Sequence, residues 1–435
     1  MRTNRLATPR VRVTTHEGAP ASHISLEQEL RRTLMSCLLW EDTFYESGED
    51  IASRIAGLIP QVEPVKVAAL AYEARTTFKL RHVPLLVIRE MARLPKHKAY
   101  VADLLEQTIQ RADELAEFLA IYWKEKRQPL SAQVKRGLGN AFRHFNEYAL
   151  AKYDRDNPIK LKDVLFLTHP KPLNDEQATL WKRLVDGQLA SPETWENRLS
   201  RGENKQETWI DMLQKNELGA LALLRNLRNM HQVGVPYPLI ADALNKMNVE
   251  RVLPYRFISA ARYAPTLEPE LEQAMFRCIE GIEKLPGHTV LLIDVSGSMD
   301  AALTQKSEMT RIDAANGLAV LAREMCERAT IYAFSNTCKQ IPTRRGFALR
   351  DAINNSMPHG STYLGEAVDQ INKSEQYDRL VVFTDEQSHD RVSNPKGKGY
   401  MVNVASYQHG VGYGAWTHID GFSEATLRYI QEVEK

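Results

Sequence analysis

Thr289-Val290-Leu291-Leu292-Ile293-Asp294-Val295-Ser296-Gly297-Ser298-Met299 is the stretch that organises the rest of the chain. Its first five residues form a short unbroken apolar run, the pattern of a strand buried on both faces. Next come one carboxylate and two hydroxyls, each two residues apart, with a glycine that lets the loop curl. In an open α/β sheet, ligands bind beyond the carboxyl ends of the strands. Asp294, Ser296 and Ser298 are therefore placed to offer three oxygens from one loop. Two later residues have the same placement. Thr362 lies in His359-Gly360-Ser361-Thr362 before a helical segment, and Asp385 follows the apolar run Leu380 to Thr384. An all-oxygen set suits a hard divalent cation. Mg²⁺ is the expected ion, and Mn²⁺ fits the same donors.

Around this stretch the sequence alternates between strand and helix patterns. Strands are predicted at Thr289–Ile293, Thr330–Phe334, Leu380–Phe383 and Tyr400–Ala405. Helices are predicted at Ile312–Arg328, Ala348–Ile353 and Leu364–Asn372, with a last one capped by Ser423 and running to Glu434. That alternation argues for a doubly wound, mostly parallel sheet. The change of pattern falls at Leu285-Pro286-Gly287, and the charge changes with it. From Pro286 onward there are 15 Lys and Arg against 18 Asp and Glu, whereas the preceding residues carry 41 against 37.

The five donors in this order resemble the metal-ion-dependent adhesion site of von Willebrand factor A domains. The resemblance covers residues 286–435. It implies a site with one coordination position left for a partner's carboxylate. No base stands beside it in the sequence, and His359 reads as a surface histidine.

Before Leu285 the periodicity is helical. Apolar residues at i, i+3 and i+4 predict helices at Leu26–Trp40, Ile51–Ile59, Pro64–Phe78, Val83–Met91, Tyr100–Ile109, Ala112–Trp123, Ser131–Tyr148, Asp175–Val185, Ser191–Leu199 and Glu207–Met230. Short connections between many helices suggest an α-solenoid, although no strict repeat is present. Residues 1–24 lack periodicity and are expected to be flexible, which leaves 25–285 as the helical unit. With 43% hydrophobic and 26% charged residues, the composition is that of a globular protein. The near balance of 56 basic and 55 acidic residues excludes a polycationic binder. Cys37, Cys278, Cys326 and Cys338 form no C-x-x-C pair, so a disulfide framework and a cysteine zinc site are not expected. No export signal, and no apolar run near the ~20 residues of a membrane span, is found. The expectation is a cytoplasmic protein.

The basic character is concentrated between Arg75 and Lys162, which hold 18 Lys and Arg. Lys135, Arg136 and Arg143 lie on one predicted helix. Lys152, Lys162, His169 and Lys171 follow. Clustered cations on a helical scaffold are an electrostatic footprint for phosphate. The interspersed Asp154, Asp156 and Asp163 favour instead an ordinary solvated face.

Lys152-Tyr153, Lys162-Asp163-Val164-Leu165 and His169-Pro170-Lys171-Pro172 resemble segments of the TROVE module of the Ro autoantigen family. Ser191-Pro192-Glu193-Thr194-Trp195, Leu221-Ala222-Leu223-Leu224-Arg225-Asn226-Leu227-Arg228-Asn229-Met230 and Leu253-Pro254-Tyr255-Arg256-Phe257 are similar to others. The resemblance implies a HEAT-like repeat solenoid closed into a ring by the A domain, acting as a monomer. It also implies Y-like RNA on the outer surface and the single-stranded 3′ ends of misfolded noncoding RNA in the central hole. An exoribonuclease such as polynucleotide phosphorylase is the partner it suggests. Asp154-Arg155-Asp156 departs from the more basic relatives and puts Y-RNA affinity in question. Arg225-Asn226 reads as a buried structural pair.

No nucleotide-binding glycine loop, H-E-x-x-H or nucleophile elbow is present. This lowers the enzyme reading, and what the Ro resemblance implies is a non-enzymatic RNA-binding scaffold in RNA quality control or processing. Two alternatives stay open. One is a metal-dependent protein-interaction module without RNA binding, the other a nuclease using Asp294 and Asp385.

Overall fold

The structure, a computed structural model, describes residues 13–35, 47–190, 194–200, 204–250, 252–303, 309–405, 407–421 and 425–434. Cys37, residues 1–12, the end of the predicted helix Leu26–Trp40, and the capping residues Ser191 and Ser423 lie outside these.

Six strands form one sheet: β1 (Leu285–Asp294), β2 (Cys326–Phe334), β3 (Cys338–Gln340), β4 (Arg379–Thr384), β5 (Lys398–Asn403) and β6 (Trp416–Asp420). Their order is β3-β2-β1-β4-β5-β6. All neighbours are parallel except β2 and β3. β1 lies in the interior of the sheet, as its apolar run requires. Its side chains alternate between faces. Val290 and Leu292 pack under the helix Leu364–Ser374. Leu291 and Ile293 face the helix Arg311–Met325, most of which is buried. Burial of each such side chain stabilises the fold by about 1.5–3 kcal/mol. The pattern change at Leu285–Gly287 falls at the start of β1. There the register with β2 shifts and Gly287 takes φ +77°.

Sixteen α-helices precede the sheet among the described residues. Two long predicted helices are in fact broken. Ser131–Tyr148 is two helices, Ala132–Phe142 and Glu147–Tyr153. The Asn146 side chain accepts from the Ala149 N–H at 2.9 Å and starts the second. Glu207–Met230 is Lys205–Gln214 and Ala220–Gln232, separated at Asn216, which has φ +54°. Cys326–Arg328, read as the end of a helix, begins β2 instead. Four helices went unread: Leu161–Thr168, Tyr237–Lys246, Tyr255–Tyr263 and Glu268–Phe276.

The large buried clusters do not divide where the pattern changes. One runs from Leu30 to Leu184 within the helices. The second joins Trp209 through Cys278 to one face of the sheet and ends at Ile430. The helices from Lys205 onward thus share a core with β1, while the earlier helices have their own.

Residues 13–35 meet the sheet and the loops at its strand ends. Residues 13–21, expected to be flexible, form a tight turn closed by Ala21 N–H donating to Val13 O at 2.9 Å. Ser22 N–H donates to Gly410 O at 2.9 Å. The helix Leu26–Met35 packs beside β6, and its Arg32 forms a fully buried ion pair with Glu386 at 2.9 Å.

Candidate metal centre and nucleic-acid surface

The five predicted donors are gathered at the carboxyl ends of the central strands. Asp294 ends β1, Asp385 follows β4, and Thr362 precedes the helix Leu364–Ser374. Gly297 N–H donates to Gly360 O at 2.8 Å and ties the first loop to the second. His389 N–H donates to Thr362 O at 2.8 Å and ties the second to the third. Asp294, Ser296 and Asp385 are fully buried and Thr362 nearly so.

Asp294 Oδ1 accepts from Ser296 N–H at 2.9 Å, and its Oδ2 accepts from the Thr384 hydroxyl at 2.5 Å. The Ser296 and Ser298 hydroxyl oxygens stand 3.3 Å apart. Burial, and then the neighbouring Asp385 carboxylate, pushes the Asp294 carboxyl up to about 7. Two buried carboxylates in one another's field, beside convergent hydroxyls, are a donor set whose charge a divalent cation would balance. Among the described residues, no three His, Cys, Asp or Glu side chains group as metal ligands. A cation here would therefore rest on carboxylate and hydroxyl together. Sequence reasoning missed Arg311, whose guanidinium lies 3.3 Å from Asp385 and places one positive charge at the site already. Thr384 was missed as the residue that orients Asp294. His359, read as a surface residue, is bonded to Asp300 at 2.8 Å and is only partly exposed.

The predicted RNA contacts fall into two groups. Lys135 and Arg136 are exposed on the helix that ends near Arg143. Arg136 pairs with Asp103 at 3.3 Å. Arg143 Nε donates to Lys171 O at 3.0 Å, which brings Arg143, His169 and Lys171 into one neighbourhood. His169 closes its helix in a left-handed conformation, φ +47°. With Phe166, Pro170, Trp181 and Lys182 it lines an open cavity of about 380 Å³.

The second group surrounds Lys152. Its ammonium lies 5.8 Å from the ring centres of both Tyr148 and Tyr153. Arg111 sits 4.8 Å over the Tyr153 ring and Arg155 at 6.0 Å. Arg111 was missed because it comes from a distant segment, whereas Tyr148 and Tyr153 share the helix of Lys152. Lys162 is half-buried and acts electrostatically on Asp154. Arg225-Asn226 is not a buried pair. Asn226 is buried and donates to Ala222 O at 2.8 Å, whereas Arg225 is exposed.

The architecture is a helical array docked on an α/β sheet whose strand ends gather two carboxylates and three hydroxyls. The TROVE domain family matches residues 182–363, a span that holds Asp294, Ser296, Ser298 and Thr362 but not the basic stretch before Lys182. Telomerase protein component 1 of Mus musculus is 32% identical over 21% of this chain and 4% of that protein. Its Rattus norvegicus counterpart is 22% identical over 50% of this chain and 12% of that protein. The chain thus spans a small part of these relatives. The solved RO (RSR) protein of Deinococcus radiodurans superposes with a TM-score of 0.61 over 94% of this chain and 100% of that one, at 18% identity. Residues 182–363 thus match the TROVE domain, and the fold of the chain is similar to that of a Ro protein. Among the described residues, no helix is long and apolar enough to cross a membrane.

Proposed function

We propose that this chain is a noncoding-RNA-binding scaffold with no catalytic step of its own. The observation that carries this reading is the cluster of Arg111, Lys152 and Arg155 around the rings of Tyr148 and Tyr153. Single strands are held by backbone charge and by bases stacked on aromatic side chains, and this cluster offers both. Arg143, His169 and Lys171 extend the basic surface along the adjoining helices. The TROVE domain match over residues 182–363 supports the same reading. Contacts between residues 15–35 and the sheet support closure of the helices into a ring by an A-type domain. Such a ring would admit the single-stranded 3′ end of a misfolded RNA and exclude stable duplex, with Y-like RNA held outside. Its work would be RNA quality control or processing in the cytoplasm, as a monomer, handing RNA to an exoribonuclease such as polynucleotide phosphorylase.

At the sheet, Asp294, Ser296, Ser298, Thr362 and Asp385 would hold Mg²⁺ or Mn²⁺. The cation would supply a point of attachment for a carboxylate of a partner. This favours a second reading, a metal-dependent protein-interaction module without RNA.

The test is purification from the native host with a gentle tag, followed by a high-salt wash and sequencing of released RNA. Co-purifying structured RNA, lost in high salt because phosphate contacts release counterions, supports the first reading. A variant with Lys135, Arg136 and Arg143 all changed to Ala should retain less of it. A protein free of nucleic acid would overturn the RNA reading and leave the interaction module.

A further inference from the structure

The loop after Asp385 has two sides. Four successive residues, Glu386, Gln387, Ser388 and His389, each take a partner from the first 32 residues of the chain. Arg32 donates to the Glu386 carboxylate at 2.9 Å. His16 N–H donates to the Gln387 side-chain oxygen at 2.7 Å. The Thr15 hydroxyl donates to Ser388 O at 2.8 Å. The Glu17 carboxylate lies 3.1 Å from His389 Nε2. Thr15 and Arg32 are buried by these contacts.

The same four residues hold the candidate metal donors with their other atoms. Glu386 N–H donates at 3.0 Å to the Thr384 hydroxyl, which itself donates to Asp294. Gln387 N–H donates to the Asp385 carboxylate at 3.2 Å, and its side chain donates to Asp385 O at 3.0 Å. The Ser388 hydroxyl donates to Thr362 O at 3.3 Å. His389 bonds Thr362 twice: its N–H donates to Thr362 O at 2.8 Å, and its Nδ1 accepts from Thr362 N–H at 3.2 Å. The loop also bends sharply. Glu386 is fully buried with φ +61°, a conformation a residue with a Cβ holds only where its surroundings impose it. Arg32 is one of the groups that impose it.

We propose that residues 15–32 are the positioning element of the metal centre, so that docking of this segment on residues 386–389 and binding of a divalent cation form one linked equilibrium. The inference rests on the metal reading given above and adds what controls the site. The loop is only four residues long and bonded on both sides, so a shift on one side moves the other. By thermodynamic reciprocity, whatever factor the docked segment adds to cation affinity, the cation adds to docking. A bound cation would thereby hold residues 15–32 on the loop 386–389, and its loss would favour their separation.

The test uses the full chain with Mn²⁺ as the probe. Mn²⁺ affinity is measured by magnetic resonance, and hydrogen exchange of residues 13–22 is followed with Mn²⁺ or with EDTA. The double variant Thr15→Val/Glu17→Ala removes two loop contacts without leaving a buried charge unpaired. It should fold, with a melting temperature in EDTA close to that of the wild type. Its Mn²⁺ affinity should fall at least about five-fold, the lower end of measured couplings. Thr15→Ser, which keeps the hydroxyl, should bind Mn²⁺ as the wild type does. In the wild type, Mn²⁺ should slow exchange at residues 13–22. If the wild type binds no Mn²⁺, the metal reading fails and takes the coupling with it. If the wild type binds Mn²⁺ and the double variant binds it equally well, or exchange at 13–22 ignores the metal, the coupling alone is overturned.

Discussion

Gly137 shows how closely two helices can approach when one residue gives up its side chain. A Cβ there would stand 2.7 Å from Ala102 O and 2.8 Å from the Leu105 Cβ, both on the neighbouring helix. No rotamer relieves a clash with backbone, so the helices must separate. Gly137→Ala is expected to destabilise the protein by about 1–3 kcal/mol, the usual cost of overpacking, and urea unfolding would read it. The same scale governs Arg32. Its guanidinium and the Glu386 carboxylate are both fully buried and paired. Arg32→Met should cost about 3–5 kcal/mol, because it leaves two buried carboxylates, Glu386 and Asp420, with His418 alone against them. Met at both Arg32 and Glu386 should recover much of that loss. A double-mutant cycle on the urea midpoint checks it, and equal losses in the single and double variants would refute it.

At the scale of elements, what could be read from sequence was what is local. The strand β1 and its loop announce themselves in eleven consecutive residues, and β2, β4 and β5 follow as apolar runs. β6 was missed because Trp416-Thr417-His418-Ile419-Asp420 mixes polar and apolar residues at an edge. β3 has three residues and no pattern to show. Periodicity also cannot see a helix stop when the apolar spacing carries on across it, as at Asn146. The contact of Arg32 with Glu386 spans 354 positions and left no trace in either segment. The last helix, Ala425–Glu434, is pinned in a way sequence also hid. Glu434 accepts from Arg379 Nε at 2.8 Å and from the Tyr400 hydroxyl at 2.8 Å, with Lys398 at 3.1 Å. Burial opposes its charge, but the bonds from Arg379, Tyr400 and Lys398 win and hold the carboxyl down at about 2. A depressed carboxyl contributes stability that is present above its unfolded value and lost as pH falls through the folded one. Exchange across residues 425–434 should therefore quicken as pH falls from about 4.5 toward 2, after correction for intrinsic rates. Glu434→Gln should remove that dependence.

At the scale of the whole molecule, the two large cores meet at several contacts, of which one is a buried ionic network. The helices from Leu30 to Leu184 form one core, and Trp209 to Ile430 form the other. Near the far end of the sheet, the Arg32–Glu386 pair continues to His418, which lies 2.7 Å from Glu386 and 2.6 Å from Asp420. Tyr413 stacks on the His418 ring with centres 4.2 Å apart. Burial alone would lower the His418 pKa, but Asp420 and Glu386 together raise it to about 9. A histidine raised in this way contributes stability that is complete below its unfolded value near 6.5 and is lost as pH rises through 9. In the neutral form the network keeps two carboxylates against the single guanidinium of Arg32, and the joint between the cores weakens. Cooperative unfolding requires that breaking one core expose the other. At pH 6 calorimetry is therefore expected to give one transition. At pH 9.5 it should resolve two, with Trp123 and Trp181 fluorescence reporting the N-terminal core and Trp209 the other. The same number of transitions at both pH values would show that His418 does not hold the two cores together.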